Sequence, residues 1–456
     1  MLIKINHWIL EHFLAIAIGL ILGIHLILHL AGIPQSFNWG FHILGLNHLE
    51  KYFFTNLFYF HASPPLLSLI HYLAFLIGDR HLALTVLLAL LHGLSFYWFY
   101  GFCQQIKLKY AEPICLILIL NPYFFIYFKN AGASTFLLVN CFALLYVLFS
   151  EQKDSRKLIL ITVIFAINSL LRPTWHVIFL VVLLLPFWYK VKPKYVVYSF
   201  FILLIPFGVY LKNYVLFGKF ASNTQGGLNL AKAHIPPEAD SSTRTVSRFY
   251  PGLTEITAYK KYINENDPLV LKYKNVEVLN IAVGNNLLYT NSQMNNIRYI
   301  QVSDMYMQDV VRNFKWRHSL TMMIQGFFVY FDSPADYDVL RVSYPSKWWT
   351  YDFFDLPNWF NIQFWRVKTK NLSLYLLVYP IAFLGLLFYF RTLKFNDWYI
   401  LFILTLFSGI YMTVDYYEAN RYRLELEPFW FYVVIMFCRK ISATFNRKNF
   451  IIQQTQ

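Results

Sequence analysis

Apolar residues along this chain gather into long runs, and the runs are separated by short clusters rich in Lys and Arg. A helix needs about 20 apolar residues to cross a hydrocarbon core. Candidate runs fall at 8–31, 80–104, 111–128, 133–150, 158–171, 175–189, 195–211, 372–390, 398–414 and 426–438. The pattern predicts an all-α polytopic membrane protein with about ten transmembrane helices. The stretch from Pro64 to Ile77 is also apolar but short for a crossing. The first run is too long for a signal-peptide core and lacks a small-residue cleavage site, so it reads as a retained helix.

Charge assigns the sides. With Lys4 cytoplasmic and Pro64 to Ile77 not crossing, five basic clusters fall on the cytoplasmic side: Lys107 and Lys109; Lys153, Arg156 and Lys157; Lys190, Lys192 and Lys194; Arg391 and Lys394; and the tail from Arg439 to Lys448. A crossing at 64–77 would flip each later loop and break the positive-inside pattern. Pro64 to Ile77 therefore reads as an outer juxtamembrane or re-entrant helix, with both termini inside. The division is a transmembrane bundle over 1–211 carrying a first outer loop (32–79), a small mixed outer segment over 212–371, and C-terminal helices with a basic tail over 372–456. No internal repeat is visible, which argues against an inverted-repeat transporter.

Composition agrees: 57% hydrophobic and 14% charged residues, against about 45–50% and about 25% in soluble domains. The net charge of +15 is the cytoplasmic-loop excess, not a nucleic-acid surface. The four cysteines lie in apolar runs, which gives no disulfide framework. The histidines His42, His48 and His61 lack metal-ligand spacing. No Walker, dinucleotide or serine-elbow motif is present, so nothing calls for a nucleotide cofactor, and a divalent metal stays open.

Charges near apolar helices carry the chemistry, because they are expensive there. Arg172 stands in Leu-Leu-Arg-Pro-Thr at an outer break, equally readable as a snorkelling end or an anion contact. Asp415, Glu418, Arg421, Arg423, Glu425 and Glu427 crowd the loop before the last run. Paired arginines there suit phosphate recognition; an internal ion-pair network capping the bundle is the competing reading. Glu50 is the one carboxylate between Gly32 and Ile77. It is a candidate base for a reaction at the outer surface, or a solvated glutamate paired with Lys51, the commoner case on chemistry alone.

Several short motifs recur in order: Glu50 ahead of Ser63-Pro64-Pro65-Leu66; Asn121-Pro122-Tyr123; Leu171-Arg172-Pro173-Thr174; Lys212-Asn213-Tyr214 with Gly226-Gly227-Leu228-Asn229; and Asn420-Arg421-Tyr422-Arg423 with Pro428. This layout resembles the C-type (GT-C) membrane glycosyltransferases, the bacterial relatives of protein O-mannosyltransferases and lipid A aminoarabinose transferases. The resemblance implies transfer of a sugar from a polyprenyl-phosphate donor to a glycan, lipid or protein acceptor on the outer face of a bacterial inner membrane, with no nucleic-acid partner. It implies Glu50 as catalytic base and Arg172, Lys212, Arg421 and Arg423 as contacts to the donor phosphate. His61, Pro64, Pro65, Gly226, Gly227 and Asn229 would support the site. Relatives commonly carry His or Lys where Ser63 stands, and an acid where this chain has Ala133-Ser134-Thr135; this chain then either lacks that role or supplies it from elsewhere, with Asp415 and Glu418 as the candidates. A polyprenyl-pyrophosphate oligosaccharide ligase or polymerase, and a transporter without chemistry, are the competing functions.

Overall fold

The computed structural model describes residues 2–32, 43–44, 46–224, 226–227, 230, 264–280, 295–331, 363–364, 367–368, 374–414 and 419–454. His42, Asn229, Asp415 and Glu418, the Arg421 side chain and much of 212–371 lie outside that set. Helices dominate, and the described strands are one antiparallel pair, Gln363–Phe364 with Val367–Lys368.

The first run is α1 (Leu2–Leu30), followed by the short α2 (Leu46–Glu50), α3 (Phe53–Phe58) and α4 (Leu66–Leu76). Asp79 caps α5 (Arg80–Gln105) by accepting the Leu82 N–H at 3.0 Å, which satisfies one orphan donor of the first turn. The expected run 111–128 is two helices, α6 (Ala111–Ile119) and α7 (Pro122–Tyr127). Pro122 lacks an N–H to continue α6 and holds Asn121 out of helical geometry. Next come α8 (Ala133–Phe149), α9 (Asp154–Leu171), α10 (Val177–Trp188) and α11 (Pro193–Phe217). Gly218 ends α11 at φ 69°, a left-handed turn that glycine adopts without strain. The chain continues through α12 (Pro268–Lys272), α13 (Arg298–Arg312), α14 (Trp316–Tyr330), α15 (Tyr375–Phe388), α16 (Phe395–Val414), α17 (Ala419–Glu425) and α18 (Glu427–Gln454).

This is a helical membrane protein. Four described helices are long and apolar enough to cross a bilayer: His12–Leu30, Arg80–Gln105, Pro193–Phe217 and Phe395–Thr413. Leu66–Leu76, Ala133–Phe149, Val177–Trp188 and Tyr375–Phe388 are apolar but shorter. The sequence count of about ten runs is therefore not matched by ten long helices. The Pro122 break and the charged first turn of α9 account for part of the difference.

α8 is the axis of the bundle. It is apolar around its whole circumference and buried along most of its length, as expected for a helix with neighbours on each side. It packs on α5, α9, α17 and α18. α15 lies along α18, where Gly385 permits the approach: a Cβ there would meet the Phe437 ring at 2.1 Å. A second, smaller core brings Leu44, Leu49, Phe53 and Phe60 of the first loop together with Phe217, Val278, Ile297 and Ile300. This cap layer joins segments far apart in sequence.

Candidate functional site

Arg172 and Glu425 form the first buried node. Pro173 disfavours helix at the residue before it, so α9 stops and Arg172 takes extended backbone, φ −146° and ψ 133°. Its Nη2 lies 2.7 Å from Glu425 Oε1, and both side chains are almost fully buried. Ser134 donates to the same carboxylate oxygen at 2.6 Å and accepts from the Arg172 guanidinium. Tyr411 donates to Glu425 Oε2 at 2.8 Å. The Arg172 guanidinium also sits 4.7 Å over the Tyr422 ring, which stacks on Tyr411 at 4.8 Å. Both Glu425 oxygens therefore carry hydrogen bonds beside the ion pair, which favours persistence of a buried charge.

Arg423 is different. Its side chain is fully buried, with the guanidinium 4.0 Å above the Tyr375 ring and 5.7 Å from that of Tyr379. Glu427, one turn on, is 3.4 Å from Nε, beyond the usual charge-assisted hydrogen bond of about 2.7–2.9 Å. Tyr379 donates its hydroxyl to Glu427. Among the described residues, Nε, Nη1 and Nη2 of Arg423 have no hydrogen-bond partner. A guanidinium presents five donors in a planar fork suited to carboxylate or phosphate, and here they are unfilled.

The third node ties the first loop to the cap layer. Lys212 donates to the Phe60 carbonyl at 2.6 Å, so the structure engages it with the chain's own backbone. His61 follows: its Nε2 donates to the Asn295 carbonyl at 2.8 Å, which leaves Nδ1 to accept from the Thr224 hydroxyl at 2.6 Å. The Asn295 side-chain oxygen accepts from the N–H of His61 at 2.7 Å and of Ala62 at 3.2 Å. Burial pushes the His61 imidazole down to about 3, the Asn295 bond opposes this, and the Lys212 charge adds to it. Pro64 and Pro65 lead out of this latch into α4. Gly227 is buried with its N–H on the Ser303 hydroxyl at 3.1 Å. A Cβ there would stand 1.9 Å from the Ser303 carbonyl oxygen, so the close approach to α13 needs glycine. Gly226 is exposed beside it.

Glu50 ends α2 on the exposed face, and its charge is felt at Arg80. No described hydrogen bond or ion pair joins it to Arg172, Arg423 or Glu425. The structure thus groups Arg172 with Glu425 and Arg423 with Glu427, and puts Lys212 and His61 in the latch. Sequence reasoning missed Ser134, Tyr411, Tyr375, Tyr379 and Asn295 as members of these nodes. Ser134 carried a faint signal, since it stands where an acid was expected; the other four are ordinary residues within apolar or polar runs. Among the described residues no cluster of three or more His, Cys, Asp or Glu is placed to hold a metal. Compared with known proteins, the chain matches no family model, no curated protein and no solved structure.

Proposed function

We propose that the chain is an integral-membrane glycosyltransferase that moves a sugar from a polyprenyl-phosphate donor to an acceptor on the outer face of the membrane. The observation that carries the reading is Arg423, a buried guanidinium with three nitrogens that have no hydrogen-bond partner among the described residues. Buried polar groups in native proteins are nearly always satisfied, so such a group calls for a ligand, and a fork of donors beside a bilayer suits a lipid-linked phosphate. In this reading the acceptor hydroxyl or amine attacks the anomeric carbon, the bond from that carbon to the phosphate oxygen breaks, and the electron pair leaves with the carrier phosphate. Arg423 stabilises the charge that develops there. Glu50 takes the acceptor proton, and a single base acting on one displacement inverts the anomeric centre.

The Ser134 contact adds support. The resemblance leads one to expect a carboxylate near residues 133–135, and Glu425 delivers one to Ser134 at 2.6 Å. Ten spans and cytoplasmic termini belong to the same proposal and rest on the apolar runs and the basic loops; the bacterial inner-membrane location rests on the bacterial look of the motifs and the lack of a disulfide framework.

The test incubates purified wild type, Glu50→Gln and Arg423→Gln with labelled polyprenyl-phosphate sugars and a membrane extract, following sugar by mass spectrometry. Sugar transfer by the wild type, lost in both variants with insertion intact, is the expected result. Full transfer by Glu50→Gln moves the base elsewhere. Use of a pyrophosphate-linked oligosaccharide alone makes the chain a ligase, and uptake into vesicles without covalent product makes it a transporter.

A further inference from the structure

A groove of about 630 Å³ runs between the α5–α6 turn with α6 on one side and α15 with α18 on the other. Ile114, Ile117, Val378, Val434 and Ile435 make its walls apolar. Its charged groups are all at one end: Lys107, Lys109 and Arg439, each exposed. Among the described residues no acid lines it; the nearest in sequence, Glu112, is turned to Tyr100 at 3.2 Å and Gln104 at 3.5 Å.

The turn that carries the two lysines is fixed against α18. Arg439 Nη1 donates to the Ile106 carbonyl at 2.9 Å, which staples the turn onto α18. Within that turn Lys107 has φ 52° and Tyr110 φ 63°, left-handed conformations that side chains other than glycine rarely adopt and that persist where the surroundings enforce them. Along α18 the lining runs from Phe431 to Ser442, a rise of about 16 Å at about 1.5 Å per residue. That is the depth of one leaflet, half of a core about 30 Å thick.

We infer that this groove holds an anionic phospholipid, with acyl chain along α6 and α18 and headgroup phosphate on Lys107, Lys109 and Arg439. Charge complementarity selects the anionic lipid over a zwitterionic one, and the one-leaflet depth fits an acyl chain rather than a long polyprenyl tail. The far end of the groove is lined by Tyr375 and Tyr379, whose rings flank Arg423; the lipid inference rests on the cationic end alone, which lies at the other end of α18, and does not depend on the transferase reading.

Cys438 supplies the probe. It lines the groove and is exposed, while Cys103, Cys115 and Cys141 are buried. The full chain is placed in nanodiscs of phosphatidylcholine with or without phosphatidylglycerol, and alkylation of Cys438 by N-ethylmaleimide is timed. Native mass spectrometry from mild detergent reads the retained lipid. Phosphatidylglycerol should slow alkylation and co-purify with the wild type. The triple variant Lys107→Gln, Lys109→Gln, Arg439→Gln should lose both effects, at roughly fivefold in affinity per cation, the equivalent of about 1 kcal/mol each. Ile117→Trp, at a position 53% exposed, fills the groove with the cations intact and should also shed the lipid; unchanged melting of each variant checks the fold. Equal protection by both lipids, retention by the triple variant or by Ile117→Trp, or a retained polyprenyl phosphate in place of a glycerophospholipid overturns the inference. Sugar transfer that persists in the triple variant leaves the catalytic proposal untouched, so the two fail separately.

Discussion

His61 and Arg423 are both buried polar side chains, and the protein surrounds them in opposite ways. Each ring nitrogen of His61 has a partner, and the Asn295 amide beside it is bonded through both its oxygen and its nitrogen. Arg423 carries a full charge, yet among the described residues three of its nitrogens find no hydrogen bond. A structural node is completed by its own chain; a node that is incomplete at this level of burial is held open at the expense of stability. The contrast separates a latch closed by its own chain from the node on which the transferase proposal rests.

The sharpest way to break the comparison is at the node between them. Glu425→Ala removes the partner of Arg172 and strands a buried cation, an effect of about 3–5 kcal/mol. A loss of that size should appear as a large drop in melting temperature in detergent; a drop no greater than a surface substitution gives would mean that Arg172 reaches water. Asn295→Ala comes next, since it strips the N–H groups of His61 and Ala62 of their acceptor. About 2–3 kcal/mol is expected for the buried donors left behind, read as faster proteolysis of the cap layer.

Acid tests the latch in graded steps. His61 is neutral in the fold, its value lowered from 6.5 to about 3. The unfolded chain therefore binds the proton first, and stability is complete above about pH 6.5 and declines as pH falls towards 3, by at most about 1.4 kcal/mol per pH unit. His61→Gln should flatten that slope in a pH series of melting curves. The smallest effect belongs to the surface pair Arg298–Glu265, at 2.6 Å with Glu265 61% exposed. The bond from Arg298 lowers the Glu265 carboxyl below its usual value, but Glu265→Gln should change stability by less than about 1 kcal/mol, a baseline for the other three.

How much of this was legible in the sequence follows from distance along the chain. The four long apolar helices stood out because a span is a local, contiguous property. Arg172 and Arg423 stood out for the same reason, as isolated charges beside apolar runs. Their surroundings did not: Ser134 and Glu425 meet across 291 positions, and Tyr330 reaches Ser408 across 78. Asn295 sits in an Asn-rich stretch with the composition of an ordinary turn, and only its geometry shows that it fastens the first loop. Gly227 was visible as part of a Gly-Gly pair, yet the need for it comes from a carbonyl on α13.

The latch also sets a timetable for synthesis. His61 and Asn295 are 234 positions apart, so the first loop leaves the ribosome long before its fastener does. At about 5–20 residues per second, that interval is roughly 10–50 s. For that time the nascent chain holds Glu50 and its aromatic neighbours on an unfastened loop, open to chaperones and proteases, and residues beyond 295 complete the closure.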